Sequence, residues 1–477
     1  MNDSNRQLET AGHEMHALIS RLFPICRSMT GPGVRETLQI LQEYVPLEVH
    51  EVPSGTPAFD WTVPREWDIR DAYIKDESGH RIVDFQESNL HVVSGSSPIH
   101  QTLPWSELKE HVYSLPEHPT WIPYRTCFHR QDWGFCVSHQ QFVELEKKPH
   151  AEYEVCIDAT LSDGSLTYGE FFLPGETEQE LLLSCHTCHP SLANDNLSGI
   201  AVAVQLAKML SERKRRYGYR FVFVPATIGP IVWLSQNEKR LANIKHGLVL
   251  ALLGDGGNST YKKSRHGHAE IDRAAAHVLK HSDADYSIRE FEPYGYDERQ
   301  YGSPGIDLPM GCLMRSPNGE YPEYHTSADN LELVEPEFLT DSLRKLLGIV
   351  ETLEGNETFI NLKPFGEPRL GRHGLYEAFG CDEDQARLQQ AVLWVLNQSD
   401  GRHSLLDIAS RSGFDFASIR RAADALQQVG LLELRPSRPT ETNFPAAPLA
   451  PAGDSTDLAG KASCHPLPVH EQTPAQG

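Results

Sequence analysis

Apolar residues recur at helical spacing from Met15 to Leu22 and again from Val34 to Tyr44, and the stretch CRSMTGPG between them stops one run and caps the next. This spacing predicts two opening helices. From Leu47 to Val52 the period shortens to alternation, which reads as a strand. Periodicity then weakens while Pro, Trp, His and Arg become frequent, so residues 64–150 are expected to form an inserted, mostly β module. Between Tyr168 and Val350 short apolar runs alternate with helical ones: FFLPG, LLLSCH, a helix over 198–212, RFVFVP, a helix over 231–241 and GLVLALLG. Strand and helix alternating in this way predict a mostly parallel α/β sheet, with strands such as LLL buried on both faces. Residues 1–63 and 151–375 are assigned to that α/β domain. Helical runs at 388–397, 405–412 and 416–428, ending in GLLEL, predict a winged-helix-like domain over 381–435. From Pro436 onward eight prolines stand among small and polar residues, and 436–477 is expected to be a disordered tail.

Composition narrows the function. With 477 residues the chain has room for a large core, and an apolar fraction of 39% against 23% charged residues is ordinary for a globular protein. The formal charge of −23 repels phosphate backbones, and the 381–435 segment itself carries six Arg against eight Asp and Glu. Nucleic acid is therefore not expected as a partner, and that segment is read as a protein-packing module, a route to a homo-oligomer. Nine scattered cysteines, an N-terminus that does not read as a signal peptide, and no run near the roughly 18 apolar residues that span a bilayer point to a cytoplasmic location with reduced thiols and no membrane partner.

Candidate chemistry concentrates at 181–202, LLLSCHTCHPSLANDNLSGIAV. A buried strand ends at Cys185, and His186, Cys188, His189, Asn194 and Asp195 follow in the loop at its C-terminal edge, where open α/β sheets place their sites. LSGIAV then opens a helix, with Gly199 permitting close backbone approach and Asp195 near the positive helix end. LVLALLGDGGN puts Asp255 beyond another buried strand on the same edge, either as a ligand or as the Asp of an Asp-Gly turn. YPEYHTSADN puts His325 before a Thr-Ser turn.

HTCHPSLANDNLSGIA resembles the first ligand region of the zinc aminopeptidase superfamily with the phosphorylase/hydrolase-like fold. Together with IPYRT, WGFCVSHQ, TIGPI, DERQYGSPG and YPEYHTSADN, it also resembles a bacterial family known by its aminopeptidase-like domain. The resemblance implies a zinc site of one or two ions with His186, Asp195, Asp255 and His325 as ligands and Asp195 bridging any pair. Such N/O donors suit zinc.

Two departures stand out. Hydrolytic members of that superfamily carry a Glu-Glu pair after the strand that RFVFVP matches, and here Ile228 and Gly229 take those places. The Asp that orients the first His is replaced by Cys188. Either one zinc binds, or His189, Cys188 or another acid fills the gap. Glu298 is the expected general base with Asp297 orienting it, and Glu320 and Glu323 are the alternatives. The competing reading of Asp297, Glu298 and Arg299 is a structural ion network. In the insert Tyr124 and Arg125, with Trp133 and His139, combine aromatic walls and a cation suited to an anionic or peptide-like ligand end, or else fill the module's own core. The expected function is zinc-dependent hydrolysis of an amide or peptide bond in small peptides or N-acyl metabolites; the alternative is a catalytically altered aminopeptidase-like binding or scaffold protein.

Overall fold

The computed structural model describes residues 3–128, 130–282, 284–375 and 383–435. The disordered tail expected over 436–477 lies outside the described residues. The chain opens with helices α1 (Asp3–Leu22) and α2 (Pro32–Leu41). Ala11, Met15, Leu18, Ile19 and Leu22 form the buried stripe of α1, at the i, i+4, i+7 spacing of one helix face. Met1–Thr10 shows no such stripe in the sequence, which is why α1 starts earlier than its apolar pattern predicts. α2 begins on Pro32, whose missing N–H costs nothing in a first turn.

The centre is one eight-stranded sheet: β1 (Glu48–Pro53), β2 (Ser165–Leu173), β3 (Glu180–His186), β4 (Gly218–Val224), β5 (Ile244–Leu250), β6 (Ser259–Lys262), β7 (Tyr286–Arg289) and β8 (Met310–Met314). Its spatial order is β1-β2-β4-β3-β5-β8-β6-β7. The inner strands β4, β3, β5 and β8 are parallel, whereas β1, β2 and β6 join antiparallel to their inner neighbours. Every residue of β3 and of β4 is buried, as their unbroken apolar runs require of strands covered on both faces.

The covering helices are α3 (Gly199–Ser211), α4 (Ile228–Asn237), α5 (Glu270–Lys280) and α6 (Pro336–Gly355). Leu181, Leu183 and Cys185 face the core shared with α1, α3 and α6, while Leu182 faces the core shared with α4. The chain leaves β3 for β4 on one side and later returns to β5 on the other. That reversal opens a crevice at the C-terminal end of β3.

The insert has its own core around Trp67, Trp105, Phe135 and Val155. Its antiparallel sheet runs Arg81–Asp84, Glu66–Lys75, Glu152–Ser162, Ile99–Pro104. Glu152–Ser162 pairs along its length with Glu66–Lys75, so the insert reaches past the boundary expected at 150. Its alternating buried Tyr153, Val155, Ile157 and Ala159 carry the strand signal. At the C-terminus the helices Glu383–Gln398, Leu405–Ser412 and Phe416–Gln428 form the expected winged-helix arrangement. Its three-stranded sheet has Thr358–Asn361 in the middle, between Asp400–Ser404 and Leu432–Leu434, so the module starts well before 381. The short strand Thr358–Asn361 is hard to read because it has only four residues and follows a long helix.

One charged cluster sits inside the main domain. Arg220 on β4 is ion-paired with Glu170 and Glu180, whose side chains are 9% and 7% exposed, and Trp233 Nε1 donates to Glu170 at 2.7 Å. Removing the cation leaves two buried carboxylates short of a partner, so Arg220→Met is expected to lower unfolding stability by about 3–5 kcal/mol. Chemical denaturation of the variant beside the wild type checks this, and an unchanged midpoint would refute it.

Candidate metal centre

His186 is the last residue of β3, and the loop that follows returns the chain to α3 through Asp195. The loop carries its polar backbone inside the protein, and each turn has a specific anchor. The Asp329 carboxylate accepts the N–H of Asn194 at 2.6 Å and that of Asp195 at 3.0 Å. Asn196 donates to Leu250 O at 2.9 Å and accepts from Leu252 N at 3.2 Å, which ties the loop to the end of β5. A Cβ on Gly199 would stand 2.5 Å from Leu250 O, so only glycine allows this approach. From the other side, fully buried Arg27 donates Nε to His189 O at 2.8 Å.

These anchors bring three imidazoles to one carboxylate. Asp195 is completely buried, with its Oδ1 2.7 Å from His186 Nε2 and its Oδ2 3.1 Å from His325 Nε2 and 3.9 Å from His189 Nε2. Burial pushes the Asp195 carboxyl upward, but the surrounding imidazoles outweigh it and hold the group well below the usual carboxylate range. The same burial drives His189 down to about 3, against the opposing pull of the Asp195 charge. Burial also raises Asp329 to about 8.

His325 sits at φ +55°, in the left-handed region that a residue with a side chain enters at a cost. The insert holds it there. Tyr124 N donates to His325 O at 2.7 Å, and Ile122 N donates to Ser327 Oγ at 2.9 Å. Tyrosines close the walls: Tyr324 stacks on His325 at 4.0 Å, Tyr296 on His186 at 5.2 Å, and Tyr124 sets its edge against both His189 and His325. The cavity between them is about 280 Å³. A larger one of about 770 Å³ lies within the insert, beside His139 and Tyr153, and contains none of the clustered donors.

The other expected residues divide. Asp255 stands on the same sheet edge, but its oxygens accept from Asn194 Nδ2 at 2.8 Å, Gly257 N at 2.7 Å and Ser316 Oγ, and it is not among the converging donors. Asp297 lines the cavity with its Oδ2 buried and without a hydrogen-bond partner among the described residues, and burial raises it to about 6. Glu298 is absent from the cavity lining and is held in an ion pair with Lys262. Glu320 is paired with Arg289 at the surface, and Glu323 does not line the cavity. Tyr124 lines it; Arg125 is exposed and lies over the Tyr113 ring. Trp133 stacks on His111 and His139 on Phe142, inside the insert. After β4 the cavity is lined by Ala226, Thr227 and Ile228, while Gly229 faces back toward Val224 and Pro225.

The donor set fits zinc. One ligand atom each from His186, His189 and Asp195 lies within 4.8 Å of the other two, an N₂O group of the kind that holds catalytic zinc. His186 Nδ1 is buried and has no partner among the described residues. An orienting acid would serve that nitrogen, and Cys188 in its place instead contacts His189 Nδ1 at 3.7 Å.

Residues 16–356 match the family described as domain of unknown function (DUF4910), and residues 357–434 match a winged helix-turn-helix. A Clostridium acetobutylicum protein, provisionally named for polysaccharide biosynthesis with an aminopeptidase-like domain, is 49% identical over 437 residues, which cover 91% of this chain and all of that one. A crystal structure from the same organism, under a provisional peptidase name, superposes with a TM-score of 0.86 at 48% identity over 91% of this chain and 99% of that one. The Bacillus subtilis zinc aminopeptidase (TM-score 0.54, 13% identity, 72% of this chain and 94% of that one) and a Shewanella amazonensis M28 peptidase precursor (0.52, 11%, 73% and 95%) share the fold. The chain belongs to the DUF4910 family, here an aminopeptidase-like α/β domain followed by a C-terminal winged helix.

Proposed function

We propose that this protein is a zinc-dependent amide-bond hydrolase of aminopeptidase type, acting on small peptides or N-acyl metabolites in the cytoplasm. The observation that carries the reading is the convergence of His186, His189 and His325 on the buried Asp195 carboxylate, with Asp297 on the wall of the same cavity. One or two zinc ions held by these donors would polarise the scissile carbonyl and acidify a water. The chain's own residues supply the rest. Asp297 has a free oxygen and a carboxyl raised to about 6, so near neutral pH it can take a proton and return it to the departing amine. Tyr124, Tyr296 and Tyr324 give the substrate flat apolar faces and narrow the access of water. All seven described cysteines are free, in keeping with a reducing compartment, and no helix among the described residues is long and apolar enough to cross a membrane. Because the Clostridium relative's name mentions polysaccharide biosynthesis, an assay panel of dipeptides and acyl-amino compounds is extended to N-acylated sugars.

A second reading, a binding or scaffold protein, draws on Ile228 and Gly229, which cannot move a proton and stand where the resemblance expects a Glu-Glu pair. Metal-loaded protein that leaves every amide of that panel intact would favour it.

After dialysis the wild type is expected to retain about one or two zinc equivalents, and His186→Ala or Asp195→Ala to lose them, because too few donors remain. Equal zinc content in wild type and Asp195→Ala, measured by atomic emission, would overturn the site. Asp297→Asn is expected to lower turnover by about 10² to 10⁴ with zinc content unchanged. Glu298→Gln should show instead as reduced stability, since it leaves buried Lys262 without its partner. Full turnover in Asp297→Asn would remove Asp297 from the reaction.

A further inference from the structure

We infer that His189 takes the place expected for Asp255, so that this chain holds a single metal ion on His186, His189 and Asp195 rather than a bridged pair. The inference rests on the hydrolase reading above and specifies its metal site.

Three observations carry it. The first is proximity: the ligand atoms of these three residues lie within 4.8 Å of one another, and they are the only such group of three among the described residues. Two ligands bound tetrahedrally at 2.0–2.1 Å stand roughly 3.3 Å apart. The separation of His186 from Asp195 Oδ1, 2.7 Å, and that of His189 from Asp195 Oδ2, 3.9 Å, lie on either side of that value.

The second is what a second ion would lack. Beyond β4 the cavity is lined by Ala226, Thr227 and Ile228, which bring no carboxylate or imidazole. Asp255, the acid expected from the resemblance, already accepts hydrogen bonds from Asn194, Gly257 and Ser316. A second ion would meet Asp195 Oδ2 and His325 Nε2, and Asp297, although it lines the cavity, does not converge with those two within 4.8 Å, so two protein donors stand where catalytic zinc takes three.

The third is presentation. His189 lies in a loop, yet its side chain is only 13% exposed and its carbonyl is fixed by Arg27 Nε at 2.8 Å. Arg27 is itself fully buried, and Nη1 is committed to Leu22 O at 2.7 Å, so this anchor belongs to the domain core. His189 Nδ1 faces Cys188 Sγ at 3.7 Å, which leaves Nε2 directed to Asp195. The imidazole is thereby held toward the carboxylate at both ends, in the way metal-site histidines are held by their outer nitrogen.

The test uses the full chain stripped with a chelator, titrated with cobalt(II) while its visible d–d absorption is followed, and with zinc by calorimetry. One equivalent is expected for the wild type. In His189→Ala, shown by circular dichroism to be folded, affinity should fall by more than the roughly 100-fold that loss of an outer partner costs, and the cobalt band should change. His189→Asn serves the same purpose should the alanine variant fail to fold. Two equivalents in the wild type, or unchanged affinity and band in the His189 variant, would overturn the single-ion site and leave the hydrolase reading standing. A wild type that binds neither metal would overturn both.

Discussion

A carboxylate with no exposure to water has to be compensated where it sits, and Asp195 is the charge around which this protein is arranged. Three imidazoles reach it from two stretches of chain, His186 and His189 from the end of β3 and His325 from a loop more than a hundred residues later. None of these groups could stay in place on a mobile loop. The Asp195 segment is therefore tied to Asp329, to the end of β5 through Asn196 and to the first helices through Arg27. The backbone N–H groups of Asn194 and Asp195 are satisfied by the same bonds that fix the loop's shape.

The sheet explains why these pieces meet. Parallel strands β4, β3, β5 and β8 end on one edge, and the reversal around β3 leaves a crevice there that their C-terminal loops fill. The insert completes the wall, since Ile122 and Tyr124 hold the strained His325 loop by backbone hydrogen bonds and Tyr124 lies against two of the histidines. An insertion far from the catalytic-looking motifs thus positions one of their residues. The winged helix contributes to the same hydrophobic core through residues such as Phe416 and Leu426, away from the cavity.

Much of this is legible in the sequence where the signal is local. Unbroken apolar runs marked β3, β4 and β5, and HTCHPSLANDNLSGIA identified the loop that carries His186 and Asp195. Short strands without a run of their own, such as Thr358–Asn361, are defined by partners distant in sequence and leave no local trace. The division between Asp297 and Glu298 is of the same kind. Adjacent acids look alike until Lys262, on another strand, takes one of them. Asp255 shows the limit of position as evidence, because the expected sheet edge is right and the neighbours Asn194 and Ser316 decide what its oxygens do. Arg27 in CRSMTGPG and Asp329 in YPEYHTSADN drew no attention of their own; both act through backbone groups, which no residue pattern announces.

In the proposed zinc site the donors are imidazole and carboxylate, and Cys188, although it lines the cavity, is a thiol whose pKa burial raises to about 12. X-ray absorption at the zinc edge of the purified full-length protein tests that most directly. A first shell of nitrogen and oxygen alone at roughly 2.0–2.1 Å, with the outer scattering of imidazole rings, is the predicted result. A sulfur scatterer at roughly 2.3 Å, or protein that carries no zinc after reconstitution, would contradict it.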